Sequence, residues 1–161
     1  MGKYSAAMDL GLNTRVRWYV VANRTDAVFY GRGKDKKFHF IDRLTNKRGH
    51  LRETELVSDK PGTGFSSAGG GTIHHGLDRR FEQHEQVAQR FARKIAFILD
   101  SAYRAENFRD LVLVAEPHFL GLLRAELSPP VRDAVKFEVP REYAQGSDEK
   151  IQKQIMEAIG A

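Results

Sequence analysis

Hydrophobic residues alternate with polar ones in the first third of the chain. Three segments show this pattern: residues 15–22 (RVRWYVVA), 27–31 (AVFYG) and 38–44 (FHFIDRL). Alternation predicts half-buried strands, and the polar cluster at residues 23–26 predicts a turn. The links between the segments are too short for crossovers, so we expect a three-stranded antiparallel meander. We expect the aromatic residues of these strands to lie in the core; they are Trp18, Tyr19, Phe29, Tyr30, Phe38 and Phe40.

Apolar residues recur every three or four positions after residue 86, which predicts one face of a long helix. The face consists of Val87, Phe91, Ile95, Ile98, Leu99 and Ala102. We expect this helix to begin near Asp78 as its cap and to run to about Tyr103, with Glu82 and Glu85 near its first turns.

Two further strand and helix pairs follow. Residues 111–115 (LVLVA) predict a strand covered on both faces, and Pro117 opens a helix that the Ser128-Pro-Pro run stops. Residues 135–139 (VKFEV) predict another strand, and Ser147 caps a last helix. The order predicts a single α/β domain with a mixed sheet of about five strands and helices packed on it. We assign residues 15–160 to this domain and residues 1–14 to an N-terminal extension.

Charge is distributed unevenly along the 161 residues, whose net charge is +5. Residues 1–60 carry 13 Lys or Arg against 7 Asp or Glu, and the rest carries 13 against 14. A basic front half favours polyanions or an acidic membrane surface, although a simply solvated surface is equally consistent. The chain has no cysteine, no signal-like apolar run and no stretch long enough to cross a membrane, so we expect a cytoplasmic protein.

A glycine-rich run precedes the long helix at residues 61–76 (PGTGFSSAGGGTIHHG). Its glycines predict a mobile loop, centred on Gly69, Gly70 and Gly71. Glycine loops before helices can bind phosphate, but the run lacks the lysine and hydroxyl residue of a P-loop and does not fit GxGxxG. A mobile loop without a ligand is the alternative.

Basic and histidine residues flank this run. Arg79, Arg80, Arg90, Arg93 and Lys94 predict either an ordinary solvated helix face or a surface for phosphate backbones. His74 and His75, with Asp78, His84 and Glu85 nearby, fit solvated histidines better than a metal site, because adjacent histidines in extended chain point in opposite directions. We find no nucleophile with a base, so we assign no catalytic residue, no metal and no cofactor.

Three runs carry a family resemblance: LRETELVSDKPGTGFSSAGGG, HEQVAQRFARKIAFIL and LVLVAEPHFLGLLRAELSPPVR. Together they resemble the bacterial host attachment protein family over residues 15–160. That family is in turn similar to the central domain of the class-1 peptide-chain release factors of eukaryotes and archaea. The resemblance implies a mixed-sheet, ribonuclease-H-like architecture.

In those release factors, a GGQ loop just before a long helix enters the ribosomal peptidyl-transferase centre. Gly69, Gly70 and Gly71 occupy the comparable place in this chain, and Gly71 or Thr72 stands where the release factors have glutamine. That glutamine helps to place the water that hydrolyses peptidyl-tRNA. The resemblance therefore implies a similar shape and location without the release reaction.

These observations lead to a hypothesis of non-enzymatic binding to ribosomal RNA or tRNA. The glycine loop would reach the RNA, with His74 and His75 beside it, while Arg79, Arg80, Arg90 and Lys94 would hold phosphates. An alternative from another class is a host-cell attachment factor that contacts a surface or a partner protein. A third is a hydrolase of an ester such as peptidyl-tRNA.

Overall fold

Five strands form one mixed sheet in the computed structural model. The structure describes residues 16–48 and 70–160; of residues 70–75 it describes the backbone alone. The strands are β1 (Arg17–Ala22), β2 (Asp26–Arg32), β3 (Phe38–Thr45), β4 (Asp110–Ala115) and β5 (Val135–Val139). Their order in the sheet is β3-β2-β1-β4-β5. Both the α/β class and the five-stranded mixed sheet are confirmed.

The first three strands form the predicted meander. β2 pairs antiparallel with both β1 and β3. The turn between β1 and β2 is held by the Asn23 side chain, whose Oδ1 accepts hydrogen bonds from the backbone N–H groups of Thr25 at 2.8 Å and Asp26 at 2.7 Å. Asparagine favours turns because its short side chain can replace a backbone acceptor in this way.

β4 joins the other edge of β1 in parallel, with Trp18 opposite Leu111, and β5 pairs parallel to β4. The chain therefore crosses from β3 at one edge to β4 on the far side of β1. A parallel connection of this kind requires a crossover, and the long helix supplies it.

Among the elements that the structure describes in full, four helices pack around the sheet: α1 (Gly70–Arg104), α2 (Pro117–Glu126), α3 (Pro129–Ala134) and α4 (Asp148–Ile159). The predicted starts of α2 and α4 are confirmed. The Glu116 carboxylate caps α2 by accepting from the backbone N–H groups of His118 and Phe119, and the Ser147 hydroxyl accepts from Lys150 N–H. The short helix α3 was not predicted, because Pro129 was interpreted only as the end of α2. Proline is also tolerated at the first position of a helix, and Pro129 occupies that position in α3.

The start of α1 differs from the expectation. The glycine-rich loop was predicted to extend to Gly76, and Asp78 to cap the helix, whereas α1 already begins at Gly70 and places Asp78 in its third turn. Residues 70–77 contain no proline, so every residue there keeps the N–H that a helix needs. Each glycine disfavours a helix by only about 1 kcal/mol relative to alanine, which an already formed helix can absorb as it extends. Gly69 and residues 1–15 and 49–68 lie outside the described residues.

Two apolar layers lie on opposite faces of the sheet. The first packs α1, α2 and α3 against one face, where the largest buried side chains of the strands are Trp18, Phe29, Leu111 and Leu113. Five of the six residues of the predicted α1 stripe lie in this layer, and the sixth, Val87, is buried as well. The second layer packs Ile151 and Ile155 of α4 against the opposite face. Of the aromatic residues assigned to the core, Phe40 is the exception, since about half of its surface is exposed.

A buried tyrosine fastens α4 to the sheet. The Tyr30 hydroxyl on β2 donates a 2.6 Å hydrogen bond to Asp148 Oδ1 at the first turn of α4. Burial, together with the neighbouring carboxylate, raises the pKa of Tyr30 above its ordinary value of 10.0. The folded protein therefore keeps the proton at a pH where the unfolded chain releases it.

Tyr30→Phe is expected to change how stability responds to alkaline pH. The Tyr30 hydroxyl makes its full contribution to the free energy of unfolding below pH 10. Above pH 10 this contribution falls by about 1.4 kcal/mol per pH unit until the pH passes the pKa of Tyr30 in the folded protein. The stability advantage of the wild type over Tyr30→Phe should therefore narrow in urea titrations between pH 9 and pH 11.5. Tyr143→Phe is the control for loss of a hydroxyl in the same layer. Parallel curves for wild type and Tyr30→Phe would contradict the assignment.

Candidate functional site

α1 is much longer than the sheet it crosses. Its 35 residues span about 52 Å at 1.5 Å per residue, whereas the strands of the sheet, with five to eight residues, span about 17–27 Å. The carboxyl end of β3 reaches α1 at Val87, since both line one pocket. Residues 70–86 therefore extend beyond the sheet, and we call this segment the α1 arm.

Burial along α1 changes sharply where the arm ends. From Gly76 to Gln86 no residue is buried, and Val87 is the first of the buried stripe. Leu77 and Phe81 continue the spacing of that stripe toward the start of the helix, yet they are 56% and 69% exposed. The arm therefore presents apolar side chains to solvent on the same side of the helix that the rest of α1 buries.

Polar contacts fix α1 to α2 only from the end of the arm onward, within the described residues. Glu85 accepts from His118 Nε2 at 2.8 Å, and Arg93 donates to Glu126 at 3.1 Å. Both pairs join residues eight positions apart on each helix, so the two helices run parallel. Such exposed pairs are each worth about 0.2–1 kcal/mol, and they orient the helices more than they stabilise them.

A pocket of about 220 Å³ lies between the end of β3 and α1. It is lined by Thr45, Asn46, Arg48, Val87, Arg90, Phe91 and Lys94. Sites for drug-sized molecules usually measure about 300–1,000 Å³, so this pocket suits a smaller group. Its walls combine an apolar floor with three cationic side chains.

The pocket favours an anion on electrostatic grounds. Among the described residues, no carboxylate forms an ion pair with Arg48, Arg90 or Lys94. Within the part of the chain that the structure describes, their charges therefore have no ion-pair partner, unlike that of Arg93 on the same helix, which pairs with Glu126. Guanidinium and ammonium groups bind phosphate oxygens through charge-assisted hydrogen bonds. A single phosphate group of a larger molecule fits both the size and the charge.

The structure places the predicted binding residues along one helix rather than in one cavity. Arg90 and Lys94 share the pocket. Arg79 is exposed and Arg80 half-buried on the arm, and the backbones of His74 and His75 lie nearer its tip. Gly70 and Gly71 form the first turn of α1, so they belong to a helix and not to a loop. From Gly70 to Lys94 the helix spans about 36 Å, which suits an extended partner better than a small ligand.

Sequence reasoning missed two parts of this surface. Asn46 and Arg48 follow the last residue of β3, in a segment to which the sequence analysis assigned neither an element nor a site. The topology could have indicated these two residues, because the crossover from β3 must bring the next helix over the end of that strand. Phe97 was missed as well; it falls outside the predicted stripe and is 68% exposed on the outer side of α1.

Other chemistry finds little support in residues 16–48 and 70–160. In these ranges no group of three His, Asp or Glu side chains is placed to hold a metal ion. No helix there is both long and apolar enough to cross a membrane.

A family model described as "Protein required for attachment to host cells" matches residues 18–155. No curated protein matches the sequence.

Two solved structures are similar in fold. One is an archaeal translation termination factor, aRF1, with a TM-score of 0.51, 11% identity, and coverage of 95% of this chain and 37% of that one. The other is described as an archaeal protein, with a TM-score of 0.51, 8% identity, and coverage of 95% and 36%. The chain thus spans little more than a third of either structure, and at such identities the likeness concerns the fold alone.

Two phenylalanines on α1 form a matched pair for testing the arm. Phe91→Ala is expected to lower the free energy of unfolding by about 3–5 kcal/mol, because Phe91 is buried in the first layer. Phe81→Ala should change it by less than about 0.5 kcal/mol, because Phe81 lies on the arm. Urea unfolding followed by circular dichroism measures both. A large loss for Phe81→Ala would show that the arm packs against other residues.

Proposed function

The chain belongs to the family of proteins required for attachment to host cells, and we propose that this member binds ribosomal RNA or tRNA in the cytoplasm through the outer surface of α1. The binding surface comprises the pocket cations Arg48, Arg90 and Lys94, together with Arg79 and Arg80 on the arm. We also assign His74, His75 and the Gly69–Gly71 run to this surface; residues 70–75 form the first turns of the arm, where the RNA would be approached first.

The observation that carries this proposal is the cluster of Arg48, Arg90 and Lys94 around one pocket, without an ion-pairing carboxylate among the described residues. Successive helical residues differ by about 100°, so Arg79, Arg90 and Lys94 fall within an arc of about 60°. A line of cations on one side of a helix can contact several phosphates of one nucleic-acid strand. The chain's net charge of +5 acts in the same direction.

The fold adds support of a weaker kind. The aRF1 structure is that of a translation termination factor, and RNA of the translation apparatus is the partner that this likeness suggests. We propose binding rather than catalysis because Gly71 or Thr72 replaces the release-factor glutamine. The third alternative, hydrolysis of peptidyl-tRNA, predicts that the wild type turns over peptidyl-tRNA. Our proposal predicts no such turnover.

Reversing the pocket charges is expected to weaken RNA binding. The double variant Arg90→Glu, Lys94→Glu should bind ribosomes and tRNA at least about 10-fold more weakly at low salt. The slope of log affinity against log salt should fall by about 1.4, since each phosphate contact on a single strand contributes about 0.7. Filter binding across a salt series measures both quantities.

Lys150→Glu, Lys153→Glu is the matched control, because both lysines are exposed on α4, which covers the opposite face of the sheet. It makes the same change in net charge and should leave most of the affinity intact. Equal losses in the two double variants would indicate attraction by net charge without a defined surface. No binding by the wild type at low salt would refute the proposal.

The family description favours a second candidate function, a host-cell attachment factor that acts by protein or surface contact. The exposed Leu77 and Phe81 on the arm are suited to an apolar protein partner. Cell fractionation distinguishes the two functions: RNA binding predicts a pool that sediments with ribosomes, and direct attachment predicts an extracellular pool.

A further inference from the structure

Phe97 is the one apolar residue between Val87 and Ala102 that turns away from the core. The other apolar side chains of this part of α1, from Val87 to Ala102, are buried, whereas Phe97 is 68% exposed. An outward phenylalanine exposes apolar surface that contributes nothing to folding. A single such residue is common on proteins, so its meaning depends on its neighbours.

The neighbours of Phe97 toward the start of the helix are cationic, whereas Asp100, three positions toward its end, is acidic and pairs with Arg104. Arg93 and Lys94 precede Phe97 by four and three positions, so their side chains share the same stretch of helix surface. Arg90 lies two turns earlier, about 10 Å along the axis and within about 20° of the direction of Phe97. The aromatic ring therefore continues the line of cations that begins at Arg79 and passes the pocket.

Resting on the proposed RNA function, we propose that Phe97 is a stacking platform for an unpaired base of the bound RNA. Every base presents a flat aromatic face, so stacking tolerates any sequence but requires that the base be unpaired. The phosphate adjoining that base would occupy the pocket between Arg48 and Arg90. The preferred ligand is then single-stranded RNA, such as a loop or a strand end, rather than a duplex.

The charge around Phe97 favours a nucleic acid over an apolar protein partner. A protein that covered the ring would also have to desolvate Lys94 and Arg90, which costs free energy unless acidic groups meet them. A nucleotide supplies the aromatic base and the anion in one molecule.

Substitution at Phe97 tests the stacking directly. We expect Phe97→Ala to bind a single-stranded RNA oligonucleotide roughly 5- to 150-fold more weakly, with its salt slope unchanged because no charge is lost. Phe97→Trp should keep the affinity, and its fluorescence should be quenched on binding. Affinity for an RNA duplex of equal charge should not respond to either change. Phe81→Ala is the control, since Phe81 is equally exposed but lies on the opposite side of the helix.

The outcomes separate this inference from the proposed function. If the wild type binds RNA and Arg90→Glu, Lys94→Glu weakens it while Phe97→Ala does not, stacking is refuted and the RNA function stands. If the wild type binds neither single strand nor duplex, the RNA function itself fails. If Phe97→Ala instead dissociates an oligomer in analytical ultracentrifugation, the ring serves protein contact and stacking is refuted.

Discussion

The packing of the α1 stripe across one face of the sheet is the contact on which the rest of this structure depends. Apolar residues from Ala88 to Ala102 pack with Trp18, Phe29, Leu111 and other apolar side chains of three different strands. Each fully buried side chain of this size contributes about 1.5–3 kcal/mol. The same packing fixes the direction of α1 and covers the pair β1 and β4 on one face. It also directs the start of the helix past the edge of the sheet.

Because its inner side is committed to the core, α1 can present its outer side and its arm as a surface. Arg90 and Lys94 lie at the boundary between the two sides, where the end of β3 brings Arg48 to meet them. A rigid helix keeps these charges at constant spacing, which a loop would not do. Binding to this surface therefore does not require the mobile glycine-rich loop that the sequence predicted.

The sequence predicted those parts of the fold whose signal is local. Alternation in RVRWYVVA, the run LVLVA and the stripe from Val87 to Ala102 each report burial by a regular structure, and each element is present. The start of α1 was missed because Gly70, Gly71 and Gly76 favour a loop on their own, whereas a helix that extends from a packed segment can include them. The pocket was missed in part because Arg48 and Arg90 are distant in sequence and meet only through the crossover. Phe97 could be recognised in the sequence as an apolar residue outside the stripe. Its role could not be inferred until the structure showed which side chains surround it.

The parallel pairing of β1 with β4 has a consequence for how the protein is made. Arg17 and Asp110, which face each other across these strands, are 93 positions apart. During synthesis, the hairpin of β1 and β2 emerges with one edge of its central strand unpartnered until residue 115 has left the ribosome. Contacts of such separation slow folding, and an open apolar edge invites association with other chains. Nascent chains truncated before β4 should accordingly be the form of this protein most dependent on chaperones.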